Sequence, residues 1–182
     1  ARRLSAEGFN VVLTARTAET LETTAGELRE EFGVETRTLA LDMTQPGSIE
    51  QIKDFVSDLE IGFLVNNVAY SSPAPFFDLS EKNIGKQLYV NVETVAVLTS
   101  HFGKMMLDRD RGAIINVSSR VGEIAMPFFA VYSATKAFIS VFTEALWFEL
   151  KDSNVDVLAV KPDTGAVGYG LRDTVQHHCR GY

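Results

Sequence analysis

The stretch that decides the fold lies at residues 110–136: the turn Asp110-Arg111-Gly112, the apolar run AIINV at 113–117, Ser118-Ser119, and the segment YSATK at 132–136. The apolar run after a turn predicts a buried strand. Apolar residues at helical spacing predict a helix over 131–151, and residues 155–160 predict another strand. A strand, a long helix and a strand in succession are typical of a parallel crossover.

The same alternation runs through the rest of the chain. The patterns predict strands over 10–14, 35–41 and 62–65, and helices over 18–32, 46–56 and 80–107. Residues 2–8 resemble the last turns of a helix with a glycine stop, so we expect the true beginning to be missing. We therefore predict an α/β fold with a doubly wound parallel sheet, as a single incomplete domain over 1–182.

Composition and charge exclude several classes of protein. The 182 residues are 46% hydrophobic and 23% charged, with a net charge of -7, which is ordinary for a globular chain. The sequence has no basic stripe that could follow a nucleic-acid backbone, and no apolar stretch of the roughly 20 residues that cross a bilayer. The one cysteine, Cys179, cannot form an internal disulfide, so we expect a cytoplasmic protein without nucleic-acid or membrane partners.

Ser119, Tyr132 and Lys136 form the strongest chemical pattern. Tyr132 follows Ser119 by thirteen residues, and Lys136 lies one helical turn further, on the same helix face as the tyrosine. A neighbouring ammonium favours phenolate and would lower the pKa of Tyr132, while a serine at the carboxyl end of a strand can donate to a carbonyl oxygen. The pattern predicts hydride transfer with acid-base assistance. Alternatively, the tyrosine and lysine lie on a solvated helix face, and Ser119 caps the strand end, with Ser118 competing for the catalytic role.

The chain here resembles the short-chain dehydrogenase/reductase family, over nearly its whole length. The resemblance rests on NVSS at 116–119, YSATK at 132–136 and LVNNVA at 64–69. It implies that Ser119, rather than Ser118, orients the substrate, and that Tyr132 and Lys136 are the acid-base and pKa-lowering residues. It also implies that Lys136 binds the nicotinamide ribose and that Asn91 holds a proton-relay water. Without the resemblance, Asn91 would be interpreted as satisfying its own helix backbone.

The resemblance also predicts cofactor contacts after the upstream strands. Asn66, Asn67, Val68 and Ala69 follow an apolar strand and are expected to lie against the cofactor. The side-chain amides of Asn66 and Asn67 could instead bind backbone groups of neighbouring strands, and a turn is a further alternative. Ala69 stands where the family has glycine. Asp42, with Met43 beside it, resembles the aspartate that contacts adenine. The alternative for Asp42 is the N-terminal cap of the next helix.

Arg16 favours NADP(H) over NAD(H). No acidic residue follows the strand at 10–14 to accept the ribose hydroxyls, as one would in an NAD enzyme. Arg16 could instead meet the 2'-phosphate of NADP with a charge-assisted bond. A solvated arginine is the alternative, so NAD stays possible.

Both ends depart from the family pattern. The family's first strand and Gly-rich phosphate loop precede the helix in which this chain is expected to begin, so we predict that residues 1–182 alone bind cofactor poorly. Lys161-Pro162-Asp163-Thr164 replaces the family's Pro-Gly pair, and Pro162 and Thr164 are predicted cofactor contacts. The segment His177-His178-Cys179 lacks further ligands at suitable spacing, so no metal site is predicted.

We predict an NADP(H)-dependent oxidoreductase that acts on a ketone, an aldehyde or a secondary alcohol. Phe128, Phe129 and the loop 73–77 are candidate walls of an apolar pocket, or else core residues. The helices over 80–107 and 131–151 are candidates for a homo-oligomer interface, with internal packing as the alternative. The competing function is a binding or structural homologue that keeps the catalytic residues without turnover.

Overall fold

The structure is a computed structural model that describes residues 1–162. The elements of that part, in chain order, are α1 (Arg2–Ala6), β1 (Val11–Ala15), α2 (Ala18–Phe32), β2 (Thr36–Ala40), α3 (Ser48–Phe55), β3 (Phe63–Asn66), α4 (Glu81–Leu88), α5 (Thr94–Asp108), β4 (Gly112–Val117), α6 (Ala130–Glu149) and β5 (Val155–Val160). Two 3-10 turns lie at Phe76–Asp78 and Arg120–Gly122, and a π-helical turn over Tyr89–Glu93 joins α4 to α5. Every predicted strand and helix is present, with ends that differ from the predicted ones by a few residues at most.

The chain divides into two compact units, Ala1–Leu59 and the part that begins at Glu60. In the first unit, β1 and β2 form a parallel pair in the register Val11↔Thr36 to Ala15↔Ala40, connected through α2. The helix buries one stripe of apolar residues (Leu21, Ala25 and Leu28). The spacing of these three residues in the sequence predicts this helix.

The second unit contains a parallel sheet of strand order β3-β4-β5. Its two crossovers run through α4 and α5 and through α6, which is the arrangement expected of parallel strands. The core of this unit is built from apolar side chains of the strands and of the inner helix faces (Val90, Val95, Leu98, Phe102, Met106, Ile114, Ile139, Val155 and Val157). The predicted α/β fold with parallel sheets is therefore confirmed, while the prediction of a single domain stays a prediction.

Gly112, the first residue of β4, is required by close packing. A Cβ at this position would lie 2.4 Å from Cγ of Met106, whose side chain is fully buried at the end of α5. The turn Asp110-Arg111-Gly112 therefore both ends the helix and allows the strand to start directly beneath it.

Helix α3 begins later than predicted. The sequence placed its start at Pro46, but the first helical residue is Ser48 and the residue before it, Gly47, has φ of +81°. A left-handed residue cannot belong to a right-handed helix, so the helix cannot extend back to Pro46.

The predicted long helix over 80–107 contains a π-helical turn. Helix α4 begins after Ser80, whose hydroxyl accepts a hydrogen bond from the amide of Asn83 at 3.2 Å. The π turn over Tyr89–Glu93 then widens the helix before α5, and the hydroxyl of Thr94 donates to the carbonyl of Tyr89 at 3.0 Å. Such turns occur often at functional sites.

Among the described residues, no helix is both long and apolar enough to cross a membrane. Over the same residues, His, Cys, Asp and Glu side chains form no group of three that could hold a metal ion.

Candidate active site

Lys136 lies on α6, and its side chain is buried against the end of β4. Its side chain is 3% exposed, and its Nζ donates a hydrogen bond to the carbonyl of Val117, the last residue of β4, at 2.8 Å. Burial lowers the pKa of Lys136 to about 8, because the charged ammonium loses its hydration there. The interpretation of Lys136 as part of a solvated helix face is therefore wrong.

Tyr132 lies one helical turn before Lys136 and is half-buried. The lysine Nζ is 5.8 Å from the centroid of the tyrosine ring, and Phe129 contacts the same ring edge-on at 6.2 Å between centroids. Burial raises the pKa of Tyr132 above its ordinary value. This differs from the expectation that Lys136 lowers it: the amine is bound by the Val117 carbonyl, and desolvation dominates at both groups.

The two adjacent serines have different environments. The hydroxyl of Ser118 is buried, donates to the carbonyl of Lys136 at 2.7 Å and lies 2.8 Å from Oγ of Ser140. Ser119 is partly exposed, and its Oγ accepts a long hydrogen bond, 3.4 Å, from the amide of Val121. Ser119 is thus the N-cap of a 3-10 turn and the more accessible of the two serines, and its catalytic role stays a prediction.

Asn91 lies in the π-helical turn and is 1% exposed. Its side-chain oxygen accepts from the amide of Tyr70 at 2.7 Å, and its side-chain nitrogen donates to the carbonyl of Tyr70 at 2.8 Å and to Oγ1 of Thr135 at 3.1 Å. The hydroxyl of Thr135 in turn donates to the carbonyl of Tyr132 at 2.7 Å. Asn91 therefore does not satisfy its own helix, and instead connects the segment after β3 to the turn of α6 that carries Tyr132.

Asn66 is part of a buried polar network that the sequence did not reveal. Its side-chain nitrogen donates to Oδ1 of Asn116 at 2.8 Å and to Oγ1 of Thr99 at 3.0 Å, and the Asn116 nitrogen donates to Oγ1 of Thr143 at 3.0 Å. All four residues are at most 4% exposed. The one sequence signal for this network is Asn116 itself, a polar residue within the apolar run that predicts a buried strand.

The next three residues after β3 are more accessible. Asn67 and Ala69 are exposed, and Val68 is half-buried. The amide of Asn67 donates to the carbonyl of Val65 at 3.1 Å, a tight turn of the kind that the alternative expected. The turn leaves the Asn67 side chain free to be reached from solvent, so its cofactor contact stays a prediction.

In the first unit, Arg16 and Asp42 follow the two paired strands at the same edge. Arg16 is exposed after β1, and its charge helps to lower the pKa of Asp42. The larger cause is the amide of Thr44, which donates to the Asp42 carboxylate at 2.9 Å. Asp42 thus closes its own turn and does not cap α3, which begins at Ser48. Met43, beside it, is half-buried.

The loops named as pocket walls are connected through their backbones. The amide of Ala74 donates to the carbonyl of Phe128 at 3.0 Å, and Phe128 has φ of +68°. That conformation is strained for a bulky residue. Phe128 is 59% exposed and Phe77 is 97% exposed, so neither is a core residue, while Phe129 is half-buried against Tyr132.

The remaining predicted residues lie at the end of the described chain. Pro162 is half-buried, two residues after the end of β5. Before it, Nζ of Lys161 pairs with the carboxylate of Glu123 at 2.6 Å. Thr164 and the segment His177-His178-Cys179 lie outside the described residues.

Comparison with known proteins places this geometry in a family. The family model described as short chain dehydrogenase matches residues 1–174. The very-long-chain 3-oxoacyl-CoA reductase of Homo sapiens is 37% identical over 166 residues, which cover 89% of this chain and 53% of that protein. The chain therefore spans about half the length of such curated relatives.

Solved structures of similar fold include proteins with either nicotinamide cofactor. A 7beta-hydroxysteroid dehydrogenase has a TM-score of 0.87 at 35% identity, covering 90% of this chain and 63% of that one. A short-chain dehydrogenase from Sphingobium yanoikuyae in complex with NADPH has a TM-score of 0.83 at 29% identity, covering 89% and 64%. An NAD+-bound xylitol dehydrogenase has a TM-score of 0.77 at 29% identity, covering 89% and 63%.

Proposed function

This chain belongs to the short-chain dehydrogenase family, and we propose that it reduces a ketone or aldehyde, or oxidises a secondary alcohol, with NADP(H). The observation that supports this best is the placement of Lys136. Its buried ammonium bonds the last carbonyl of β4, with the Tyr132 ring 5.8 Å away and Ser119 two residues beyond the same strand end. A proton donor, a cation and an accessible hydroxyl are the groups that a polarised carbonyl requires.

The donor set of Lys136 fits a nicotinamide cofactor. An ammonium has three donors, and among the described residues the hydrogen bond of Lys136 goes to the Val117 carbonyl, so two donors are left for ribose hydroxyls. When bound, the nicotinamide supplies or accepts the hydride. Asn67, Val68, Ala69 and Pro162 are the further residues that we propose to hold the cofactor in the second unit.

The chain's own groups would handle the proton. In the direction of reduction, the hydroxyl of Tyr132 donates its proton to the carbonyl oxygen as the hydride reaches the carbonyl carbon, and the hydroxyl of Ser119 donates a hydrogen bond to the same oxygen. Burial raises the pKa of Tyr132, which keeps its hydroxyl protonated at neutral pH and suits a proton donor. Asn91 fixes the start of α6 through Thr135 and can hold a water near that end of the helix.

We propose NADP(H) rather than NAD(H) because of the edge formed by β1 and β2. Arg16 is exposed there and offers a cation to a 2'-phosphate. The nearby carboxylate, Asp42, is engaged by the amide of Thr44 and is proposed to contact adenine with Met43 beside it.

We propose an apolar carbonyl compound as the substrate. Phe77 and Phe128 are exposed on two loops whose backbones are bonded to each other, and Phe129 continues this apolar surface to Tyr132. A long acyl chain and a steroid, which appear in the names of two relatives, are both apolar.

We also propose that two copies associate through α6. Exposed apolar residues recur along one side of this helix at spacings of three and seven (Phe138, Val141, Phe148). Val141→Glu is expected to shift the sedimentation of the protein to that of a monomer, while Thr23→Glu on the exposed side of α2 leaves it unchanged. A wild-type protein that sediments as a monomer at all concentrations would refute this pairing.

The function is tested by two measurements on the purified protein. Binding of tritiated NADPH and of NADH is measured first, and then oxidation of NADPH in the presence of apolar ketones and aldehydes. We expect NADPH to bind at lower concentration than NADH, and we expect turnover that Tyr132→Phe lowers by about 100-fold or more. Binding without any turnover supports the alternative of a binding homologue. Because residues 1–182 are expected to bind cofactor weakly, each nucleotide is titrated to high concentration, and absence of binding to either of them there refutes the proposal.

A further inference from the structure

We infer that Gly122 and Ser118 are positioning residues: together they fix α6 against the end of β4, and so set the place of Tyr132 and Lys136 relative to Ser119. This inference rests on the proposed function for its effect on turnover. The contact between this part of the chain and α6 is made by the protein's own atoms and does not depend on a ligand.

Gly122 ends the 3-10 turn that begins after Ser119. A Cβ on Gly122 would lie 2.7 Å from the backbone nitrogen of Ala137, 2.7 Å from the backbone carbon of Lys136 and 3.0 Å from its oxygen. These neighbours are helix backbone and cannot rotate away as a side chain can. The φ angle of Gly122 is not in the left-handed region, so close approach to α6 is the reason for glycine here.

Ser118 forms a hydrogen bond to the same turn of α6 that Gly122 approaches. Its hydroxyl donates to the carbonyl of Lys136, the oxygen that Gly122 also approaches, while Nζ of Lys136 donates back to the carbonyl of Val117. The strand end and the helix therefore exchange two hydrogen bonds. Oγ of Ser140, 2.8 Å from Oγ of Ser118, completes the contact.

The consequence concerns distances within the active site. Ser119 follows Ser118 directly and begins the turn that Gly122 ends, whereas Tyr132 is one helical turn before Lys136. A methyl group at Gly122 must push the turn and the helix apart. A displacement of about 1 Å between reacting groups costs about 100-fold in rate.

Gly122→Ala is the decisive variant, and Gly85→Ala is its matched control. A Cβ on Gly85, in α4, would meet nothing within 4 Å. We expect Gly122→Ala to lower kcat by about 100-fold per folded molecule and also to raise the KM for NADPH, because Lys136 moves with the helix. A merely structural defect would reduce the folded fraction and leave the kcat of that fraction unchanged. Gly85→Ala is expected to match the wild type in both constants.

Amide hydrogen exchange over residues 132–140 provides a reading that needs no turnover. We expect faster exchange in Gly122→Ala and wild-type exchange in Gly85→Ala. Ser118→Ala, which adds no atoms, keeps the inference testable where Gly122→Ala does not fold, and is expected to lower kcat by up to about tenfold, the equivalent of one hydrogen bond. A wild type that binds no nucleotide and has no turnover refutes the proposed function alone, and exchange then decides the inference. Wild-type exchange over 132–140 in both folded variants would overturn it.

Discussion

Lys136→Met is expected to stabilise the fold while it removes the proposed activity. The pKa of Lys136 is about 8 in the folded protein and about 10.4 in an unfolded chain, a difference equivalent to about 3 kcal/mol. Below pH 8 the lysine is protonated in both states, so this cost is fully present. The substitution also removes the hydrogen bond to the Val117 carbonyl, which costs about 1 kcal/mol. Lys136→Met should thus raise the free energy of unfolding by about 2 kcal/mol at pH 7.

The pH dependence has a defined sign. Between about pH 8 and pH 10.4 the unfolded chain binds more protons than the folded one, so the contribution of Lys136 to stability rises with pH. The advantage of Lys136→Met should therefore shrink over this range and reach zero or reverse near pH 10. Titrating groups far from Lys136 contribute equally to both proteins and cancel in the difference.

Urea unfolding followed by the fluorescence of Trp147 measures this directly. Trp147 is the one tryptophan in the chain and lies on α6, the helix that carries Lys136. Lys104→Met is the control. It removes the same charge, but the Lys104 side chain lies on α5 and is 80% exposed. If Lys136→Met is less stable than wild type at pH 7, or differs from it by the same amount at pH 7 and pH 10, the account of a desolvated lysine is refuted.

Three further predictions concern other residues. Tyr132→Phe should lower kcat by about 100-fold or more, since a positioned proton donor contributes that much, while tritiated NADPH still binds; retained turnover would exclude Tyr132 as the donor. Arg16→Gln should raise the KM for NADPH by about tenfold and leave the KM for NADH unchanged, because one charge-assisted bond to the 2'-phosphate is lost; equal effects on both cofactors would argue against that contact. Asn116→Leu removes one of the two buried acceptors of Asn66 and the donor to Thr143, and should cost about 2–3 kcal/mol in urea unfolding. Asn67→Ala, at an exposed position, should cost less than about 0.5 kcal/mol. An Asn116→Leu protein as stable as wild type would show that the network contributes nothing to stability.

The elements of the fold could be predicted because their signal is local. The stripe Leu21, Ala25 and Leu28 identifies α2 without knowledge of what it packs against, and the run 113–117 identifies β4 in the same way. The start of α3 was misplaced because Pro46 is a common first helical residue, and nothing local shows that Gly47 takes a left-handed conformation.

The site could be predicted only in part. Spacing placed Tyr132 and Lys136 on one helix face, and resemblance selected Ser119. The sequence could not show that burial, rather than the neighbouring charge, controls the pKa of both Tyr132 and Lys136, because burial depends on packing between distant segments. The role of Gly122 could not be predicted for the same reason, because the helix that it contacts begins eight residues later in the chain.

The π-helical turn at Tyr89–Glu93 makes the residue count of this region significant. Each residue of an α-helix turns the chain by about 100°, so loss of one residue from the widened turn would rotate everything on one side of it by that angle. Asn91 could then no longer face Tyr70 and Thr135 at once. A homologue shorter by a single position between Ser80 and Leu107 would keep a continuous helix and a similar composition. Its asparagine would nevertheless lie on a helix face that cannot contact both Tyr70 and Thr135.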